Sequence, residues 1–481
     1  MIRQRFSVRK QAIGLACGWA LVLSAYPAAA GQFPEPAAGQ LPTPAAGETL
    51  TPATGQAPER DAPAETAPGE TAPAETTLGT TAGLAEFVAY AVAKNPLLQS
   101  WADRHTASTE VAAQVSALPD PMLSYGFFAR TPETRVGPQE NVVGLSQKLP
   151  FPGKLSLRGQ IARKDAEVWE RTYEERLLDL VHDVSRSYYD YYRVFHVIRV
   201  TEEEKDVIRR MQDVAQVRYA SGIVTQQDVL KAQLSLSALE DKLTTLRRDL
   251  KSVSARLNHY LDRVPDAPLA QPRLEPRVLG GEDIDALYAR ARDDRPELAA
   301  AGVNIEKAQA ARALARREYY PDLTLSVNYT FVDERPLALL EDNGKDVLQL
   351  KAAINLPIWL GKRRARVREA EANIAMARNR RAGLRTKIAS EVQDTYSRVT
   401  AAHELVRLYD GVIIPQAQQT FLASEAGYQT GKVDFLNYLD SQRMLLSLRQ
   451  TRITLVADLG RQHVDLERAL GAGLDQFSNR R

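Results

Sequence analysis

A single cysteine, Cys17, occurs in the 481 residues, and it lies in an N-terminal targeting pattern. If that segment is removed, no thiol is left, which excludes disulfides and thiolate-bound metal from the fold. The histidines are few: His105, His182, His196, His259, His403 and His463 show no metal-ligand spacing with one another or with the cysteine. No Gly-rich phosphate loop, nucleophile elbow or metalloprotease motif is present. No catalytic residue, metal site or cofactor is therefore expected, and any energy for work must come from a partner. Net charge is also scarce. The formal value is +2, but Arg3, Arg5, Arg9 and Lys10 lie in the first ten residues with no acid among the first 30, so the remainder carries −2. A chain so near neutrality has no bulk electrostatic reason to bind nucleic acid. Beyond the N-terminal segment no apolar run approaches the ~18 residues of a membrane-spanning helix. A membrane β-barrel leaves a much fainter signal, and that possibility stays open.

The N-terminal pattern has basic residues to Lys10, an apolar stretch from Ala12 to Leu23, and Ala28-Ala29-Ala30 as a small-residue cleavage site. It predicts a secretory signal peptide over residues 1–30. The alternative is a lipoprotein signal acylated on Cys17. Against it, Leu15 sits one residue from the place a lipobox requires, and little apolar sequence precedes it. Residues 31–80 are rich in Pro, Ala, Gly, Thr and Glu, with almost no large apolar side chains, and are expected to be a disordered tether.

From Leu84 one pattern runs twice, at an offset drifting from 200 to 209. Asn95-Pro96 matches Arg295-Pro296, and Leu118-Pro119-Asp120-Pro121 matches Tyr320-Pro321-Asp322-Leu323. Leu149-Pro150 followed by Gly153-Lys154 matches Leu356-Pro357 followed by Gly361-Lys362, and Tyr219, Gly222, Val224 and Gln233 match Tyr428, Gly431, Val433 and Gln442. Many of these are Gly or Pro with structural meaning, and the period is far too long for a solenoid. The domains expected are a first repeat over 84–262, a linker over 263–282, a second repeat over 283–472 and a tail over 473–481.

Each repeat reads helix, strand, strand, long helix, turn, helix. The opening helices restart at Pro96 and Pro296, as a first helical turn tolerates. Leu323, Leu325, Val327, Tyr329 and Phe331 then alternate with polar residues, as do Leu348, Leu350, Ala352 and Ile354 on the return. Leu123, Tyr125 and Phe127, with Val143, Leu145 and Leu149, repeat the pattern less cleanly. Period two over about ten residues suits a membrane strand, and Phe151 and Trp359 stand where aromatics would mark the lipid boundary. An amphipathic hairpin on a soluble core would give the same local pattern. Its recurrence at the same place in both repeats of an exported chain favours the barrel.

The helices expected over about 155–219 and 362–428 are each on the order of 100 Å long. They are too polar for lipid. Leu177, Val181, Val184, Tyr188, Tyr191, Phe195 and Ile198 step by four and three, a coiled-coil seam that accounts for the tyrosine-rich run Tyr188-Tyr189-Asp190-Tyr191-Tyr192 as packing. Ile388, Val392, Val399, Ala402 and Val406 repeat the seam, and Pro415 should kink or unwind the second helix. Four strands cannot close a barrel, and an open edge cannot face lipid, so several chains must share one.

With its duplicated order, its Leu-Pro…Gly-Lys strand exits, Arg218-Tyr219-Ala220-Ser221-Gly222, Ile414-Pro415-Gln416-Ala417 and the run Gly431 to Gln442, the chain resembles the TolC family of outer membrane factors over about 84–472. The details lean toward its heavy-metal and drug-efflux branch. The resemblance implies a mainly α fold with a small β part, in which a homotrimer shares a twelve-stranded barrel in outer-membrane lipid above a coiled-coil tunnel in the periplasm. It implies an exit duct of a tripartite efflux pump, with a periplasmic adaptor (a membrane fusion protein) linking it to an inner-membrane pump of RND type. On that basis Arg218, Tyr219, Gly222, Asp228, Tyr428 and Gly431 are adaptor-docking tip residues. Asp440 and Asn437 hold the positions of the acidic tunnel gate, Asn437 departing from the family's acid and Asp434 standing nearer the tip. The rivals are the duct of a type I protein-secretion system and a periplasmic coiled-coil scaffold without a pore.

Overall fold

The computed structural model describes residues 81–274, 283–335 and 341–471. The expected signal peptide, tether and tail lie outside the described residues.

The first repeat opens with α1 (Leu84–Lys94) and α2 (Pro96–Ser116). Asn95 separates them: its side-chain oxygen accepts from the Leu98 N–H at 3.0 Å, capping α2 with Pro96 at the first helical position. A short β1 (Thr81–Ala82) precedes α1. The chain continues through β2 (Met122–Phe127), β3 (Glu133–Thr134) and β4 (Gly137–Leu149) into α3 (Lys154–Ala220) and back along α4 (Gln226–Tyr260). The second repeat follows β5 (Gln271–Pro272) with α5 (Ile284–Asp294), α6 (Pro296–Arg317), β6 (Leu323–Val332), β7 (Val347–Ile354), α7 (Leu360–Leu408), α8 (Ile414–Gln429) and α9 (Phe435–Leu470). The duplication read from the sequence is the duplication of the fold.

The expected linker does more than connect, since its β5 pairs in parallel with β1. Tyr188 holds this strap: its hydroxyl donates to the Arg273 carbonyl at 2.5 Å and accepts from the Arg273 N–H at 2.8 Å.

At 67 residues α3 spans about 100 Å. It packs against α1, α2, α4, α6 and α9, and Val184, Tyr188, Tyr191 and Ile198 of the expected seam are buried. The seam understates the burial, because Tyr189 and Tyr192 are buried as well. Tyr189 is accommodated by Gly460 on α9, where an added Cβ would lie 2.2 Å from the ring. In the second repeat Ile388, Val392, Val399 and Ala402 are buried in the same manner.

The second long helix is interrupted as Pro415 requires. Tyr409–Ile413 form a π-helical turn, and the Ile414 N–H reaches back five residues to the Tyr409 carbonyl. Proline can neither donate to the carbonyl four residues back nor tolerate it close by, and the wider turn relieves both constraints.

The strands form an antiparallel sheet ordered β2–β4–β6–β7, so the two repeats join at β4 and β6. Register places Leu123, Leu145, Val327 and Leu350 in one row, and Tyr125, Val143, Tyr329 and Leu348 in the next. Ser124, Gly144, Asn328 and Gln349 share a row on the opposite face. The apolar face is exposed: Leu123 is 75% and Leu350 77% accessible. A hairpin packed on a soluble core would bury that face, so the geometry goes against that reading. Strands β2 and β7 leave their outer edges unpaired among the described residues.

Candidate functional site

Two helical turns, far along the chain from the sheet, carry most of the candidate residues. The first tip joins α3 to α4. Gly222 adopts φ 72°, its N–H donates to the Tyr219 carbonyl at 2.9 Å, and the Ile223 N–H donates to the Arg218 carbonyl at 2.9 Å. The second tip joins α8 to α9. Gly431 adopts φ 74°, donates to the Tyr428 carbonyl at 3.2 Å, and the Lys432 N–H donates to the Gly427 carbonyl at 2.8 Å. Both are left-handed glycine terminations that satisfy the last carbonyls of a helix. An added Cβ on either glycine would meet nothing within 4 Å, so backbone conformation alone selects glycine there.

The tips touch through Arg218. Its Nη1 donates to the Tyr428 carbonyl at 2.7 Å and its Nη2 to the Gln429 carbonyl at 3.3 Å, while the guanidinium carbon lies 4.7 Å from the centre of the Tyr428 ring. Tyr428 is 3% accessible, whereas its counterpart Tyr219 is 45% accessible and open to a partner. Tyr428 stacks on Tyr438 at 5.3 Å and meets the edge of Phe435 at 5.6 Å; Tyr438 stacks in turn on Phe421 at 5.7 Å. Burial raises the phenol pKa of both Tyr428 and Tyr438, which keeps them neutral. Phe421, Phe435 and Tyr438 had no place among the sequence-derived tip residues. Their only signal was aromatic content at helical spacing around the Gly431 turn.

The acidic candidates separate by role. Asp434 is the N-cap of α9, accepting from the Asn437 N–H at 3.2 Å and from the Asn437 amide group at 2.5 Å. Asn437 is thereby tied to Asp434. Asp440 is 59% accessible, its nearest opposite charge being Arg443 at 3.7 Å on the same helix. Asp228, at the third position of α4, has its pKa raised, first by burial and then by Asp434, against Lys231 and a hydrogen bond from Thr225. The starts of α4 and α9 therefore place two carboxylates within electrostatic reach of each other.

At the other end, the exit from β4 is closely built. Lys154 is 5% accessible, and its ammonium donates to Asp322 Oδ1 at 2.6 Å and to the Tyr320 carbonyl at 2.8 Å. The same carboxylate oxygen accepts from the Phe151 N–H at 3.0 Å, and Lys148 lies 3.5 Å from its other oxygen. Phe151 stacks on Tyr320 at 4.5 Å with Arg317 above it. Trp359, at the exit from β7, is 72% accessible. Lys154 and Asp322 each have a counterpart in the other repeat, but no local pattern joins the two, because the bond crosses between repeats.

The matched model is that of the outer membrane efflux protein, over residues 88–262 and 287–472. The chain belongs to that family. Both matched stretches coincide with the two repeats of the fold. The cobalt-zinc-cadmium resistance protein CzcC of Cupriavidus metallidurans is 24% identical over 366 residues, covering 74% of this chain and 82% of that protein. The cation efflux system protein CusC of Escherichia coli K12 is 23% identical, covering 68% and 71%, and the outer membrane protein TolC of the same strain is 21% identical, covering 60% and 61%. Among solved structures a CusC chain superposes with a TM-score of 0.68 at 17% identity, covering 85% of this chain and 99% of that one. The outer membrane protein VceC of Vibrio cholerae does so at 0.65 and 20% identity, covering 81% and 96%. This outer membrane efflux protein is not an enzyme. Among the described residues no helix is long and apolar enough to cross a membrane, and no group of three or more acids, histidines and cysteines gathers as a metal site.

Proposed function

We propose that the protein is the outer-membrane exit duct of a tripartite efflux pump, working as a homotrimer whose cargo is transition-metal cations. The observation that carries this is the run of four strands β2–β4–β6–β7, with its apolar face exposed and both edges open among the described residues, leading into the polar helix α3 about 100 Å long and its counterpart α7. Unsatisfied strand edges cannot face hydrocarbon, so three copies completing a twelve-stranded barrel resolve both the edges and the exposed apolar face. The helices then continue the barrel as a periplasmic tunnel. The paired tips are its far end, where a periplasmic adaptor docks on Tyr219 and the two glycine turns and connects the duct to an inner-membrane pump. Phe151 and Trp359 lie at the lipid boundary. Three copies of Asp440 around a narrow axis attract cations. The cargo class rests on relatives named for cobalt, zinc and cadmium resistance and for cation efflux.

A strain lacking the protein tests this, with complementation on cobalt, zinc and cadmium salts and on a panel of drugs. Increased sensitivity to the metal salts alone is expected. Sensitivity to drugs alone moves the cargo, and no change in any sensitivity moves the duct to protein secretion. Recovery of the mature protein in a soluble fraction without detergent would remove the barrel altogether.

A further inference from the structure

Among the described residues the strand-exit junction exists once, although the fold is duplicated. Lys154 of the first repeat is buried against Asp322 of the second, with Lys148 beside it. The repeat correspondence turns Lys154 into Lys362 and Asp322 into Asp120. Lys362 and Asp120 are both exposed, and neither side chain has a hydrogen bond or ion pair among the described residues. They lie at opposite edges of the sheet, beside β7 and β2.

From this, resting on the trimeric duct, we infer that Lys362 pairs with Asp120 of the partner subunit, reproducing between chains the Lys154–Asp322 junction found within one.

The strand register supports the inference independently. Carrying the β4–β6 pairing over by the same correspondences sets Ile354 against the partner's Leu123, Ala352 against the partner's Tyr125, and Leu350 against the partner's Phe127. Two features of that register were not imposed. The correspondences that produce it also convert the observed Leu123–Leu145 pair into Leu325–Ala352, which is the pair observed in the second repeat. They also bring apolar rows into line with apolar rows, although a slip of one residue would reverse every side chain. Asn355 takes the place of Lys148, and its amide group is available to the partner's Asp120. One local difference accompanies the open junction: α3 begins at Lys154 behind left-handed Gly153, whereas α7 begins at Leu360, two residues before Lys362.

The test uses the full chain purified in detergent. Asp120→Lys and Lys362→Asp should each speed trimer dissociation about thirtyfold or more, since each leaves two like charges facing across a desolvated contact, and the double exchange should restore the rate to within about threefold. A second measurement does not depend on those variants folding well. Ala352→Cys combined with Tyr125→Cys should give a covalent trimer on oxidation. Within one chain these positions are three strand spacings apart across the sheet, at least about 14 Å, too far for a disulfide. A protein that is trimeric by mass, yet links only through Ala352→Cys with Phe127→Cys or is not rescued by the exchange, overturns the pairing alone. A monomer in detergent overturns the duct as well.

Discussion

Arg218 at the first tip closes the end of the helix that carries Tyr428 at the second, with its guanidinium over the ring and its N–H groups on the last carbonyls. The relationship runs one way. The position equivalent to Arg218 in the second repeat is Gly427, which has no side chain to return the contact. Duplication supplied two tips of one backbone form, and divergence coupled them.

Arg218→Ala should therefore loosen the second tip more than the first. The charge-assisted bonds and the ring contact are together worth about 1–3 kcal/mol at this half-exposed site. Hydrogen exchange at the Gly431 and Lys432 amides should accelerate roughly tenfold, while the Gly222 and Ile223 amides change little. Arg218→Lys should recover part of the protection only, since an ammonium lacks the planar fork. Equal acceleration at both tips would show that the coupling is not directional.

Glu204 on α3 predicts a pH dependence of stability. It is buried with Gln442, whose amide donates to one carboxylate oxygen, and the other oxygen has no partner. Burial pushes its pKa up to about 7, against the Gln442 bond and Arg449, which pull it down. The folded state thus binds this proton more tightly than the unfolded chain. Its contribution is full below the ordinary carboxylate pKa, fades as pH rises toward 7, and above that the folded state bears a cost of up to about 3 kcal/mol. Glu204→Gln should remove that component. Unfolding in detergent at pH 5 and pH 8 would check it, and an equal decline in both proteins would assign the slope to other groups.

Gly460 fixes the approach of α9 to α3. In Gly460→Ala the new methyl carbon would lie 2.2 Å from the Tyr189 ring, so α9 or the ring must shift, at a cost of about 1–3 kcal/mol. Adding Tyr189→Leu should restore part of the loss, making the pair markedly non-additive in thermal unfolding. Additive losses would place the strain elsewhere.

What the sequence made legible follows from periodicity. Strand alternation and the two tip glycines carry their own local signals, so β6, β7, Gly222 and Gly431 were readable from residue types alone. Pro415 marked the interruption of the second helix, though not that a π turn would absorb it. Contacts between repeats left no local trace. Arg218 over Tyr428, Lys154 on Asp322 and Glu204 on Gln442 each join residues more than 160 positions apart. The tyrosine run shows the same limit. A single seam stepping by four and three accounts for Tyr188 and Tyr191, but Tyr189 and Tyr192 are buried because α9 covers a second face of α3.

The acidic residues beside the second tip can be separated by experiment, because the structure gives them unequal work at home. Asp434 caps α9, so Asp434→Ala should cost about 1 kcal/mol in stability and fray the first turn of that helix. Asp440 is exposed beside Arg443 and holds no helix terminus, so Asp440→Ala should change stability by less than about 0.5 kcal/mol. If three copies of Asp440 ring the tunnel axis, that nearly neutral substitution should still lower the cation selectivity of single channels in planar bilayers. Asn437→Ala should resemble Asp434→Ala in weakened form, since its side chain is already engaged with the cap. Selectivity that follows Asp434 rather than Asp440 would move the ring to the tip, and selectivity that follows neither would leave the lumen charge to other residues.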